Sequence, residues 1–97
     1  MRVHFYATFR DIVGGKYIDL DLADGTTVQQ LLDRVLLDHP GLRSEMLDEA
    51  GLLSRHVQLF VNGRSCVFLD QGLDTALAAR HDRIDFFPAV EIGRAHV

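Results

Sequence analysis

Few side chains of this 97-residue sequence are spaced for chemistry of their own. The histidines are scattered without a pair at metal-ligand spacing, so solvated or capping roles suit them better. They are His4, His39, His56, His81 and His96. The one cysteine, Cys66, follows a tight turn with no evident base to activate it, and we interpret it as a half-buried packing residue. These residues predict no metal site and no nucleophilic centre.

Two groups of carboxylates stand out in the sequence, and neither has the spacing of a known site. Asp19, Asp21 and Asp24 follow one edge of a predicted strand, where charge discourages pairing with another molecule. The acidic residues between Glu45 and Glu49 indicate a solvated helix face rather than a docking site. No EF-hand spacing and no glycine-rich phosphate loop is present, so we expect no bound cofactor.

The composition is that of one small folded domain. Hydrophobic residues make up 47% of the chain and charged residues 25%, which is ordinary for a globular protein. A net charge of −4 without a basic cluster argues against nucleic acid and anionic membranes, and favours a basic surface on a partner protein. Without a signal peptide or a membrane-length apolar run, we expect a reduced, cytoplasmic protein.

The opening residues predict a β-hairpin. Apolar and polar residues alternate over residues 3–8 and again over 18–23, which is typical of strands with one buried face. Gly14-Gly15 lies between the two runs and is expected to form the turn.

A long amphipathic helix is predicted next. Thr27 and Gln30 have the spacing of a capping box, and apolar residues then recur along one helical face. The residue before Pro40 is pushed out of the α region, so the helix must end near it. We place this helix at Val28–Asp38.

The second half predicts a second hairpin and a final strand. A strand over residues 57–62 leads into Asn62-Gly63, a strong signal for a tight turn, and a return strand over 66–68. The last strand is placed at residues 83–87. Shorter helical segments are expected at 42–49, ended by Gly51, and around Leu73.

This order of elements is that of an α+β protein with the β-grasp fold of ubiquitin. We expect a mixed sheet of four or five strands, with the last strand central and parallel to the first, packed on one main helix. The predicted core is Val3, Phe5, Ile18, Leu20, Val28, Leu31, Leu32, Val35, Leu59, Val61, Ile84 and Phe86. Phe60 and Phe87 would face away from the helix, as an exposed apolar patch.

Six segments together resemble the MoaD/ThiS family of ubiquitin-like sulfur carriers. They are Tyr6-Ala7-Thr8-Phe9-Arg10-Asp11, Leu31-Leu32, His39-Pro40-Gly41-Leu42, Phe60-Val61-Asn62-Gly63-Arg64, Leu73-Asp74-Thr75-Ala76-Leu77 and Asp85-Phe86-Phe87-Pro88-Ala89-Val90. The resemblance covers residues 1–90 in order. It departs from the family pattern at Pro88-Ala89, where two prolines are common, and at Arg80-His81, where the family has an Asp-Gly turn.

The resemblance implies a carrier protein rather than a free-standing enzyme. In this family a MoeB/ThiF-like activating enzyme uses ATP to adenylate a C-terminal glycine, which then becomes a thiocarboxylate. Molybdopterin synthesis is the leading pathway, with a large molybdopterin-synthase-type subunit as second partner. Phe60, Phe87, Pro88, Ala89 and Val90 would dock these partners. The alternatives are a binding module without carrier chemistry and a modifier conjugated to lysines.

The final residues do not fit this chemistry. Ile92-Gly93 stands where the family has Gly-Gly, so Gly93 aligns with the terminal glycine but four residues follow it. We expect a β-grasp domain over residues 1–90 and an unstructured, non-native tail over 91–97, because the tail can be encoded by a sequence resembling a sequencing adapter. A precursor cleaved after Gly93 and a protein that has lost carrier chemistry are the other two interpretations.

Overall fold

The computed structural model describes residues 1–78 and 80–88, which form one sheet and three α-helices. The strands are β1 (Arg2–Phe5), β2 (Tyr17–Asp19), β3 (Val57–Val61), β4 (Arg64–Ser65) and β5 (Ile84–Pro88), and the helices are α1 (Thr8–Val13), α2 (Val28–Asp38) and α3 (Arg43–Met46). Short 3₁₀ turns lie at Pro40–Leu42, Cys66–Phe68 and Gly72–Asp74. None of the described helices is long and apolar enough to cross a membrane.

The five strands lie in the order β2-β1-β5-β3-β4. β1 and β5 are parallel neighbours, with Val3 level with Ile84 and Phe5 level with Phe86. All other neighbouring strands are antiparallel. The last strand therefore lies at the centre of a mixed sheet, which confirms the predicted β-grasp fold.

Helix α2 has the bounds that its sequence predicts. The Thr27 hydroxyl accepts a hydrogen bond from the Gln30 backbone N–H at 3.1 Å, and the Gln30 side chain accepts one from the Thr27 N–H at 2.9 Å. This capping box satisfies two backbone groups that have no partner within the helix. The apolar stripe is buried against the sheet, and Pro40 opens a 3₁₀ turn directly after the helix ends.

The core lies between α2 and one face of the sheet. Eleven of the twelve predicted core residues are buried, and Ile18 is partly buried against them. Seven further residues are buried that the predicted core did not include. Leu36 and Val57 lie on α2 and β3, and the other five lie on shorter segments: Phe9, Leu42, Met46, Cys66 and Leu77.

The connection between β1 and β2 is more than the glycine turn that we predicted. The strands pair as a hairpin would, but α1 lies between them. The alternation breaks at Ala7, whose φ of 52° starts the helix, and Gly14 ends it in the left-handed conformation with φ of 82°. Phe9 buries its ring in the core and thereby anchors this helical turn.

Two other predicted segments differ from the structure. The 42–49 helix is confined to α3, which ends before Leu47 because Leu47 is extended and bridges to Leu53. Gly51 therefore closes a separate turn around Asp48 instead of capping the helix. The prediction of a return strand at 66–68 is also wrong. β4 ends at Ser65 and a 3₁₀ turn follows, which buries Cys66 and leaves Val67 and Phe68 exposed.

Candidate functional site

Three aromatic rings lie together on the sheet face that α2 does not cover. The rings of Tyr6 and Phe87 are stacked with centroids 4.1 Å apart, and Phe60 meets Phe87 edge-on at 5.4 Å. We call Tyr6, Phe60 and Phe87 the aromatic patch. All three side chains are half-buried, so much of their apolar surface remains open to a partner.

Strand register explains how the aromatic patch forms. Successive side chains on a strand point to opposite faces, so Leu59 and Phe86 enter the core while their neighbours Phe60 and Phe87 face outward. The sequence predicted these two outward positions. Tyr6 was not predicted, because its position beside Phe87 depends on the parallel register of β1 and β5.

A polar network holds the ring of Tyr6 in place. Asp85 is only 6% exposed, and its carboxylate accepts a 2.6 Å hydrogen bond from the Tyr6 hydroxyl. Arg83 Nε donates to both Asp85 oxygens at 3.2 and 3.1 Å, and its Nη2 donates to the Tyr6 hydroxyl at 3.1 Å. The hydrogen bond with Asp85 raises the pKa of Arg83, and the one with Tyr6 adds to this effect. The buried carboxylate is therefore satisfied, and the tyrosine ring is fixed.

Charged and polar side chains border the aromatic patch on the β2 side of the sheet. On one side Arg2 pairs with Asp19 at 3.0 Å and lies over the ring of Tyr17, 3.9 Å from its centroid. His4 lies between this pair and the network, and burial together with the positive charge of Arg83 lowers its pKa. Both effects disfavour the charged form of the imidazole.

The apolar surface continues past Phe60 into an open groove of about 610 Å³. Phe60 lines this groove together with Leu59 and Leu73, and the exposed side chains of Val67 and Phe68 lie at its border. This exposure follows from the 3₁₀ turn at Cys66–Phe68, where we predicted a strand. The exposed apolar surface is therefore larger than the predicted patch of Phe60 and Phe87.

The aromatic patch lies at the end of β5, the last described strand. Phe87 and Pro88 are the last residues of β5, and Pro88 is level with Val57 on β3. Ala89 and Val90, predicted as docking residues, and Gly93 all lie outside the described residues. The boundary expected at residue 90 lies there too.

The residues considered first for chemistry do not form a second site. Cys66 is buried, and burial raises the pKa of its thiol, which disfavours the reactive thiolate. Within residues 1–78 and 80–88, no three histidine, cysteine or acidic side chains are grouped so that they could hold a metal ion. Among the described carboxylates Asp85 is the buried one, and it accepts hydrogen bonds from Tyr6 and Arg83.

Known proteins share both the sequence and the fold of this chain. It is 36% identical to small archaeal modifier protein 3 of Haloferax volcanii over 93 residues, covering 96% of this chain and 98% of that protein. The crystal structure of SAMP1 from Haloferax volcanii superposes with a TM-score of 0.77 at 26% identity, over 90% of this chain and 91% of SAMP1. The chain in the Amycolatopsis orientalis BexX/CysO complex gives a TM-score of 0.71 at 27% identity, over 91% and 93%.

A sequence profile described as the ThiS family matches residues 3–91, almost the whole chain. Together with the relatives, this match confirms the predicted resemblance and the prediction that the chain is a small ubiquitin-like carrier or modifier protein, not a free-standing enzyme. The chain belongs to the ThiS family.

Proposed function

We propose that this protein is a ubiquitin-like carrier that is activated at a C-terminal glycine by an adenylating partner enzyme, which it docks through the aromatic patch. The observation that carries the proposal is the position of the patch beside the end of β5, the strand that the C-terminal residues follow directly in the sequence. A partner that holds the patch also holds the start of that segment, so its reactive end can be guided into an active site.

The chemistry requires only the carboxylate of the carrier. A terminal glycine carboxylate attacks the α-phosphorus of ATP, pyrophosphate leaves, and an acyl adenylate forms on the carrier. An incoming nucleophile then displaces AMP from the carbonyl carbon. A sulfide equivalent gives a thiocarboxylate, and a lysine amine of a target protein gives an isopeptide bond. The same first step therefore serves both sulfur delivery and protein modification.

Conjugation to lysines is the first candidate for the second step. It is supported by the 36% identity to small archaeal modifier protein 3, which extends over nearly the full length of both chains. Sulfur delivery to molybdopterin is the second candidate, supported by the MoaD/ThiS-like segments that run from Tyr6 to Val90. Both candidates use an activating enzyme of the MoeB/ThiF kind, and the second adds a large molybdopterin-synthase-type subunit.

The shape and charge of the patch suit a transient complex. Aromatic residues at the centre of an interface contribute most of the binding free energy, and a polar rim excludes water from them. Here the rings are held by stacking and by the Asp85 network before a partner arrives, so little side-chain entropy is lost on docking. The BexX/CysO complex shows that a structural relative forms a stable enough assembly to be crystallised.

Binding to the activating enzyme tests the docking surface. Phe60→Ser removes one ring of the patch and should weaken binding about thirtyfold, since a central aromatic residue contributes about 2 kcal/mol and about 1.4 kcal/mol is a factor of ten. Leu37→Ser is the matched control, because Leu37 is 76% exposed and lies on the outer side of α2. Equal affinity for both variants in a titration, or a collapse of thermal stability in Phe60→Ser, would contradict docking through this face.

A further inference from the structure

The chain contains a single lysine, Lys16, although it has nine arginines. An arginine guanidinium stays protonated in proteins and does not act as an acyl acceptor, whereas a lysine amine can. Arginines form the ion pairs of Arg2 with Asp19, Arg34 with Asp38 and Arg83 with Asp85. No hydrogen bond or ion pair within residues 1–78 and 80–88 engages the amine of Lys16.

The backbone of Lys16 is fixed while its side chain is exposed. Its carbonyl oxygen accepts a 2.9 Å hydrogen bond from the Phe5 backbone N–H, so the residue is held beside β1. The other amine in the sequence, at the N-terminus, donates a 2.7 Å hydrogen bond to the Leu20 carbonyl and is partly buried. Lys16 is therefore the more accessible of the two amines.

Lys16 also lies at the end of the sheet where β5 leaves. Phe5, its hydrogen-bond partner, is level with Phe86, two residues before Pro88. With β1 between them, the backbone of Lys16 and β5 are about two strand spacings apart, roughly 10 Å. A partner that holds the aromatic patch and the outgoing segment thus has this amine within the same region of the surface.

We infer that Lys16 is the acceptor through which this protein is itself modified by a second copy. The inference rests on the proposed function for one part, the donor copy with an activated terminal glycine. The Lys16 amine attacks the carbonyl carbon of the activated terminal glycine of a donor copy, a C–N bond forms, and the bond to AMP, or to a thiol in a thioester, breaks. The amine loses one proton to solvent, and AMP or the free thiol is released.

The test uses two donors and the full chain as acceptor. Both donors carry Lys16→Arg and Gly-Gly in place of residues 91–97, so they can donate without accepting. One is activated by the adenylating enzyme and ATP, and the other is prepared chemically as a C-terminal thioester. Peptide mapping by mass spectrometry locates the new bond, and adenylate formation on the first donor is measured separately.

With either donor, we expect the wild-type acceptor to be modified at Lys16 and the Lys16→Arg acceptor to lose at least nine-tenths of the product. Arg64→Lys, added to Lys16→Arg, returns an amine at an exposed position on β4 and should restore product with the thioester. Linkage mainly at the Met1 amine, or undiminished product with Lys16→Arg, would overturn the inference. If the activating enzyme formed no adenylate but the thioester donor still modified Lys16, the proposed function would be refuted and the inference about Lys16 would stand.

Discussion

Tyr6 supports the aromatic patch in two ways, through its ring and through its hydroxyl. The ring stacks on Phe87, and the hydroxyl donates to the buried carboxylate of Asp85. Only the first contribution concerns a partner directly. The second fixes the ring and satisfies a charge that would otherwise be costly to bury.

Tyr6→Phe separates these two contributions, because it keeps the ring and removes the hydroxyl. We expect a loss of roughly 1–2 kcal/mol in the free energy of unfolding, as for a hydrogen bond to a partly screened charge. Arg83 still donates to Asp85, which limits the loss. Chemical denaturation measures the change; a stability equal to wild type would show that the Tyr6–Asp85 contact contributes nothing.

At this scale the sequence predicted part of the site. Phe60 and Phe87 could be found because each alternates with a core residue on its own strand. Tyr6 alternates with Phe5 in the same way, so its outward orientation could have been predicted. Its contact with Phe87 could not, because it depends on the register between β1 and β5, and the contacting residues Tyr6 and Asp85 are 79 positions apart in the sequence. The buried position of Asp85 follows from the same register, and no local pattern reveals it.

Among the elements, α2 depends on its cap and on its buried face. The capping box at Thr27 and Gln30 was readable from spacing, and both hydrogen bonds are present. Thr27→Ala should lower the free energy of unfolding by about 1 kcal/mol, the usual contribution of such a cap. Thr27→Ser keeps the hydroxyl and is the control. In a denaturant titration, the free energy of unfolding of Thr27→Ser should be close to that of wild type. Equal losses of stability in both variants would show that the hydroxyl does not cap the helix.

The buried face of α2 allows a sharper comparison between two leucines. Leu32 is buried against the sheet, whereas Leu37 lies on the exposed side of the same helix. Leu32→Asp places an unpaired charge in the core and should cost more than about 4 kcal/mol, enough to unfold the domain. Leu37→Asp should leave the melting temperature nearly unchanged in circular dichroism. If the two variants melted alike, the assignment of the helix face would be wrong.

The short elements were harder to predict than α2. Phe9, Ile12 and Val13 have the i, i+3, i+4 spacing of a helix, but six residues give too few positions to distinguish α1 from an irregular turn. The burial of Phe9 in the core stabilises α1, and this packing is a tertiary effect. Similarly, the strand expected at residues 66–68 became a 3₁₀ turn, in which Cys66 packs inward.

For the whole molecule, the order of elements was enough to predict the β-grasp fold. Two hairpin signals, one long helix and a final strand allow few arrangements in which the helix covers one face of the sheet. Family membership and the fold of the relatives agree with this prediction. The proposed function depends on the residues after β5, whose chemistry the fold does not determine.

The central claim is activation at a C-terminal glycine, and intact mass measures it most directly. A variant in which Gly-Gly replaces residues 91–97 is incubated with a MoeB/ThiF-like activating enzyme from the same organism, ATP and a sulfur source. We predict a mass gain equal to the exchange of one oxygen for sulfur, and none for the sequence ending in Val97, because a channel fitted to glycines rejects bulky side chains. An unchanged mass for the Gly-Gly variant, when a small archaeal modifier protein with its own activating enzyme gains sulfur in parallel, would contradict the account.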